Sequence, residues 1–208
     1  MGNPNAFDPQ AKVPDTSADV LAPIRDRWSP RSFTAQPVEP EKLRALFEAA
    51  RWAASSRNQQ PWRFVVGQQG DDGVYDKLFD ALAEFNQQWA TAPVLFLVVG
   101  KTHFDPENSG KENWHYAYDT GQAMGQLAVQ ATALGLHLHQ MGGFSRTQVR
   151  EQLHLPDAYH PIAVVALGYR GNAHDVPDDL LTEELAKRER KPLGELVFAA
   201  WEHPFFGG

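Results

Sequence analysis

The chain contains no cysteine, which excludes disulfides, thiolate-held iron–sulfur clusters and a cysteine nucleophile. It also lacks an apolar run long enough to span a membrane. The longest, Pro93-Val94-Leu95-Phe96-Leu97-Val98-Val99, has the length of a buried strand. Positive charge is scarce overall: 19 Lys and Arg stand against 26 Asp and Glu, a net charge of −7. Proteins that bind duplexes usually present a basic face, so nucleic acid is not an expected partner. No G-x-G-x-x-G follows a strand, and neither G-x-x-x-x-G-K-[ST] nor G-x-S-x-G occurs, so neither a Rossmann or P-loop nucleotide site nor a hydrolase elbow is indicated. Residues Met1 to Ala6 lack the charged start and apolar stretch of a signal peptide, and Ala6 stands where a myristoylation signal needs Ser or Thr. A soluble cytoplasmic protein is the expectation.

What is present fits one domain. The 208 residues are 42% apolar and 22% charged, enough to build a sizeable core. Residues 1–17, rich in Pro, Asn and Asp, read as a loose arm, and 18–208 as a single domain. Ala18 to Arg27 can form a first helix with Val20, Leu21 and Ile24 inward. Pro40 suits a first helical residue, and Leu43, Leu46, Phe47, Ala50 and Ala53 follow the helical period. Trp62–Gly67, Pro93–Val99 and Pro161–Tyr169 read as strands, with a short one over Leu136–Gln140. Val74, Leu78, Phe79, Leu82, Phe85 and Trp89 form one helical stripe. Asn113 to Leu134 is the longest helix, stopped by Gly135. It carries Gly121 and Gly125, a pair that permits close helix crossing, within the chain or at a dimer seam. Ser145 opens a short helix in a capping box with Gln148, and Phe144 can staple onto Val149. Asp178 to Lys187 is a charged helix or turn. Strands too few for a doubly wound sheet, interspersed with helices, make the fold class α+β. The apolar tail, Leu196, Val197, Phe198, Trp201, Phe205 and Phe206, must cover either its own domain or a partner subunit.

Three polar segments could carry chemistry. Arg25-Asp26-Arg27-Trp28-Ser29-Pro30-Arg31-Ser32 puts three arginines and two hydroxyls in eight residues. That suits phosphate oxygens, and it equally suits a solvated surface of ion pairs. Lys187-Arg188-Glu189-Arg190-Lys191 fits an ordinary helix end, or a second basic group converging on the same phosphate. Ser55-Ser56-Arg57-Asn58-Gln59-Gln60 offers amides and hydroxyls that can read a planar hydrogen-bonding ring, and turn formation accounts for the same residues. His137 and His139 alternate on a strand and with His103 or His115 would suggest a metal. No carboxylate or cysteine stands at a ligand spacing, so partly buried histidines are the simpler account.

The run Ile24-Arg25-Asp26-Arg27-Trp28-Ser29-Pro30-Arg31-Ser32-Phe33, followed by Pro37-Val38 and by Ser55-Ser56-Arg57-Asn58-Gln59-Gln60-Pro61-Trp62-Arg63-Phe64, resembles the opening of the nitroreductase family. Asp119-Thr120-Gly121-Gln122-Ala123, Met141-Gly142-Gly143-Phe144, Val164–Tyr169 and Arg188-Glu189-Arg190-Lys191-Pro192-Leu193 continue the likeness in family order. The resemblance implies a central, mainly antiparallel sheet flanked by helices, and two FMN molecules held in an intertwined homodimer whose C-terminal segment extends onto the partner. It implies hydride transfer from NADH or NADPH to a nitroaromatic, quinone or related small-molecule acceptor by a ping-pong cycle. Other flavin chemistry, such as reductive dehalogenation or flavin breakdown, is an alternative that a long lid would favour, and Phe104–Asn113 is the one short candidate. A flavin-binding dimer without turnover is the third reading.

The roles implied by the resemblance fall on particular positions. Arg27, Trp28, Ser29 and Arg31 match the motif around the FMN phosphate, ribityl chain and ring edge, and Arg188 and Arg190 the basic pair near the phosphate. Ser55, Ser56, Asn58 and Gln60 match a loop reaching the partner's flavin. Asn86 matches a ring-contacting asparagine. Met141, Gly142 and Gly143 match a turn over the isoalloxazine, where a backbone N–H faces the reactive nitrogen. No catalytic side chain and no metal are expected. Two positions depart from the pattern: Ala54 replaces a common proline, and Gly142 a position that is Glu in some members, which leaves the substrate pocket more open.

Overall fold

The computed structural model describes residues 12–71, 73–104 and 110–206. The expected arm lies outside them up to residue 11, and so do residues 105–109 of the short lid candidate. Of the arm, Lys12 is buried, and its ammonium donates to Ala186 O at 2.6 Å.

Four strands form one antiparallel sheet in the order β1-β2-β4-β3: β1 (Trp62–Gln68), β2 (Val94–Lys101), β3 (His137–Met141) and β4 (Tyr159–Gly168). Every residue of β2 is buried, because helices cover both faces. Val94, Phe96 and Val98 point into one cluster with Leu46, Ala50, Leu127 and Ala131, whereas Leu95, Leu97 and Val99 point into a second with Tyr75, Leu78 and Trp89. The two-residue period of a strand sorts the run into two cores. Phe96 meets Phe47 and Phe64 edge-on at 5.6 and 6.1 Å between ring centroids. Pro161 sits inside the central strand β4, where a missing N–H would break the ladder. The register shifts there, with Val98 opposite Ala163 and Val99 opposite Pro161, and the bulge absorbs the loss.

Helix α2 (Pro40–Arg51) starts on Pro40 as expected, but α1 covers only Ala22–Asp26. Leu21 and Ile24, expected inward, are exposed. The helix at Ala53 also fails to extend: the last turn tightens, with Trp52 N–H on Ala49 O and Ala53 N–H on Ala50 O. Ala53 is buried outside the helix.

The single stripe expected over Val74–Trp89 is two helices, α3 (Val74–Asp80) and α4 (Glu84–Gln87). Between them Ala83 is extended and donates to Gly143 O at 2.9 Å, Ser145 N–H bonds Ala81 O at 2.8 Å, and Leu82 bridges Phe144. The backbone pairs with the 142–145 turn instead of with itself, and Phe85 is left exposed.

The long helix α5 runs Tyr116–Ala133. It begins late because Asn113 N–H is spent on Thr102 O while the Asn113 side chain accepts from His115 N–H. It ends as expected at Gly135, φ +74°, with Leu136 N–H on Ala131 O and Gly135 N–H on Thr132 O. In α6 (Arg146–Gln152) Ser145 Oγ caps Gln148 N–H. Beyond β4, α7 (Asp178–Leu185) leads to a basic stretch and a small hairpin of β5 (Phe198–Ala200) and β6 (His203–Pro204). The tail pairs with itself, Phe205 N–H bonding Val197 O. Trp201 remains 81% exposed, and Leu196, Phe205 and Phe206 are exposed as well.

Candidate functional site

The Arg27–Ser32 segment leaves α1 as extended chain and is fixed from three sides. The buried Trp28 ring lies under the Lys12 ammonium, 4.6 Å away, and edge-on to His137. His139 Nδ1 lies 3.0 Å from Pro30 O, which makes it the donor. The buried Glu184 carboxylate accepts Arg31 N–H at 3.1 Å. Desolvation raises the Glu184 pKa, against the pull of that N–H, Lys12 and Arg31. Trp28 therefore acts as the anchor of the segment, while Arg27, Ser29 and Arg31 stay partly accessible.

The two basic clusters, far apart in sequence, converge. Arg188 Nη1 donates to Arg25 O at 2.7 Å and to Lys12 O at 2.9 Å. Its pKa is lowered first by burial, then by Arg27 and Arg190, and that of Arg27 by burial and Arg190. Among the described residues Asp26 is the one carboxylate acting on Arg188 in the opposite sense, and it already pairs with Arg25 at 2.7 Å. Three guanidiniums held together at a cost, with Arg27 Nη1 within 3.4 Å of Ser29 Oγ, are what a doubly charged phosphate would relieve.

A cavity of about 350 Å³ opens beside this segment, with Arg31, Asn86, Trp89, His139 and the Met141–Gly143 turn in its wall. The break between α3 and α4 brings Asn86 here, where its Nδ2 donates to Gly143 O at 2.9 Å. A Cβ on Gly143 would lie 2.7 Å from the Phe85 ring and 3.0 Å from Asn86 Nδ2, whereas one on Gly142 would meet nothing within 4 Å. The turn is open at Gly142 and backed by Phe85 and Asn86 at Gly143, which suits a flat group laid on it. A larger groove of about 390 Å³ runs along α5, with Ile24, Arg27, Gly121, Gly125 and Val129 in its wall. A Cβ on Gly121 or Gly125 would meet nothing within 4 Å, so among the described residues no helix crosses them closely.

Ser55, Ser56, Asn58 and Gln60 line neither cavity. Their loop has left-handed backbone at three residues that are not glycine, Arg57 (φ 53°), Asn58 (φ 55°) and Gln60 (φ 48°). Such strain persists only where the surroundings enforce it. Here the buried Asp119 carboxylate accepts Ser56 N–H at 2.9 Å, and Ser55 Oγ accepts Gln60 N–H at 2.9 Å.

Sequence reasoning missed Asp119 and Glu184 as supports, and Glu183 and His139 as part of the wall. Burial lowers the pKa of both His137 and His139 to about 4, so both are neutral near pH 7. Among the described residues there is no group of three or more His, Cys, Asp or Glu placed to hold a metal, and no helix long and apolar enough to cross a membrane.

A family model described as the nitroreductase family matches residues 24–88 and 74–169. A crystal structure described as an oxidoreductase containing FMN is 34% identical over the full length of both chains, with a TM-score of 0.84. A protein from Desulfovibrio desulfuricans solved in complex with FMN is 25% identical, with a TM-score of 0.68 over 89% of this chain and 98% of its own. A relative from Archaeoglobus fulgidus named "Putative NADH dehydrogenase/NAD(P)H nitroreductase" is 26% identical over 178 residues, covering 83% of this chain and 98% of its own.

Proposed function

The chain belongs to the nitroreductase family, and from that premise we propose that it is an FMN-dependent oxidoreductase carrying hydride from NADH or NADPH to a nitroaromatic, quinone or similar acceptor. The observation that carries this reading is the convergence of Arg27, Arg188 and Arg190 on the Arg27–Ser32 segment, whose Arg31 stands in the wall of the cavity at the Met141–Gly143 turn. A net-acidic chain gathers three guanidiniums at one place, and a phosphate monoester is the ligand that matches them.

In this reading Arg27, Ser29, Arg188 and Arg190 hold the phosphate and the start of the ribityl chain. Arg31 and Asn86 meet the edge of the ring, and the Met141–Gly143 backbone lies against its face with an N–H toward the reactive nitrogen. Bound there, FMN supplies the two-electron chemistry, while the protein binds and orients. A fixed N–H donor stabilises charge that develops on reduction without reorganising. The ring face turned away from the turn would be left for donor and acceptor to occupy one after the other, the arrangement a ping-pong cycle requires.

We read the protein as a homodimer. The α5 groove, exposed Leu21 and Ile24, and the exposed apolar residues of the tail are surface that a second subunit would cover. The strained Ser55–Gln60 loop, absent from the wall of its own cavity, would serve the partner's.

FMN titration of a double variant, Arg27→Ala with Arg190→Ala, tests the assignment. Charge-assisted hydrogen bonds contribute about 1.5–3 kcal/mol each, so the pair should weaken FMN binding by roughly 10² to 10⁴-fold. Unchanged occupancy would overturn the phosphate site.

A further inference from the structure

Helix α7 contributes Leu180 and Glu183 to the wall of the cavity that also contains the Met141–Gly143 turn. Glu183 Oε2 accepts from Arg31 Nη2 at 2.7 Å, and its side chain is still 65% exposed. Arg31 and Glu183 are the two side chains of the wall that carry charge near pH 7. The rest is aromatic, apolar, amide, glycine backbone and the His139 imidazole. The neighbouring carboxylate has a different duty. Glu184 is buried and takes the Arg31 backbone N–H, which fastens α7 to the segment. Glu183 is therefore not needed to hold α7 in place, and it occupies the cation that an anionic guest would otherwise take.

We propose that Glu183 is a specificity-determining residue: by satisfying Arg31 and placing a carboxylate on the cavity wall, it turns away acceptors that carry a carboxylate or sulfonate and restricts turnover to uncharged aromatic or quinone acceptors. The inference rests on the FMN oxidoreductase reading. Two effects act in the same direction. A carboxylate on the guest meets a like charge a few ångströms away, and it finds Arg31 already paired. Replacing Glu183 by Gln removes the repulsion and releases the Arg31 charge while keeping the shape and an acceptor oxygen.

The test uses the FMN-loaded protein and a matched pair of acceptors, 4-nitrobenzoate and methyl 4-nitrobenzoate, which differ in charge more than in shape. The readout is the ratio of kcat/KM for the anion to that for the ester, in the wild type, Glu183→Gln and Glu183→Ala. The wild type should favour the ester, and both variants should raise the ratio by about two- to fivefold, as expected for one like-charge contact at a largely exposed site. Added salt should shrink the difference. If the loaded protein reduces neither compound, the same ratio is read from dissociation constants, measured by perturbation of the flavin absorbance. A ratio unchanged in both variants overturns the role of Glu183 and leaves the flavin reading standing. A protein that takes up no FMN overturns that reading, and the inference with it.

Discussion

Replacing Asp119 by Ala should loosen the Ser55–Gln60 loop before it unfolds the domain. Asp119 lies in the first turn of α5, 3% exposed, and its Oδ2 accepts Ser56 N–H at 2.9 Å. A hydrogen bond to an ionised acceptor contributes about 1.5–3 kcal/mol. Against it stand the left-handed conformations of Arg57, Asn58 and Gln60, each costing on the order of 1–3 kcal/mol, with Asn at the low end. The strain of the three residues together exceeds what this one bond contributes, so losing the anchor should let the loop relax. If the loop touches the cofactor, FMN affinity should fall by up to about 30-fold, the equivalent of roughly 2 kcal/mol. Asp119→Asn keeps an acceptor oxygen and should recover much of the loss. Two assays suffice: FMN titration, and limited trypsin digestion read at the bond after Arg57. The variant should be nicked faster there than the wild type. Wild-type FMN affinity together with wild-type resistance at Arg57 would refute the anchoring argument.

Other consequences concern pH and the glycine turn. His137 and His139, ordinarily near 6.5, titrate at about 4 because burial disfavours the cation. The unfolded chain therefore binds protons that the folded one refuses between pH 6.5 and 4. Stability is fully present above 6.5 and is lost as pH falls through that window, by up to about 3 kcal/mol per histidine. Thermal unfolding from pH 7.5 to 4.5 should show the decline, and replacing both histidines by Gln should flatten it; an equal slope in the double variant would refute this. Gly143→Ala should weaken FMN binding more than Gly142→Ala, because its Cβ meets Phe85 and Asn86 while the Gly142 position is open. Overpacking of this kind costs about 1–3 kcal/mol, and equal FMN affinities for the two variants would contradict the turn geometry.

The parts of the fold written in short-range pattern were legible. The apolar runs at Trp62, Val94 and Ile162 became strands within about two residues of their expected bounds, because short β-branched and aromatic runs favour extended chain, most strongly in β2, where every residue is buried. Gly135 and Ser145 fixed helix ends through local chemistry. The Val74–Trp89 stripe misled because its break comes from pairing with residues some 60 positions later, which periodicity cannot contain. Leu21 and Ile24 misled because apolar character does not say which molecule covers it. At the site, the two arginine clusters were visible as charge excess, but their meeting depends on α7 docking through Glu184 onto Arg31. Glu184 and Asp119 were invisible for one reason: a carboxylate in a charged or polar stretch looks solvated until its backbone N–H partner is known. Left-handed Asn58 suits an asparagine, while Arg57 and Gln60 carry no such signal.

The central claim is best tested by an absorbance spectrum of the purified, desalted and FMN-loaded protein, recorded anaerobically before and after NADH or NADPH. The account predicts flavin bands that bleach on adding one of the two donors and return on adding a nitroaromatic or quinone. A protein that takes up no FMN, or bands that dithionite bleaches and neither nicotinamide does, would contradict it.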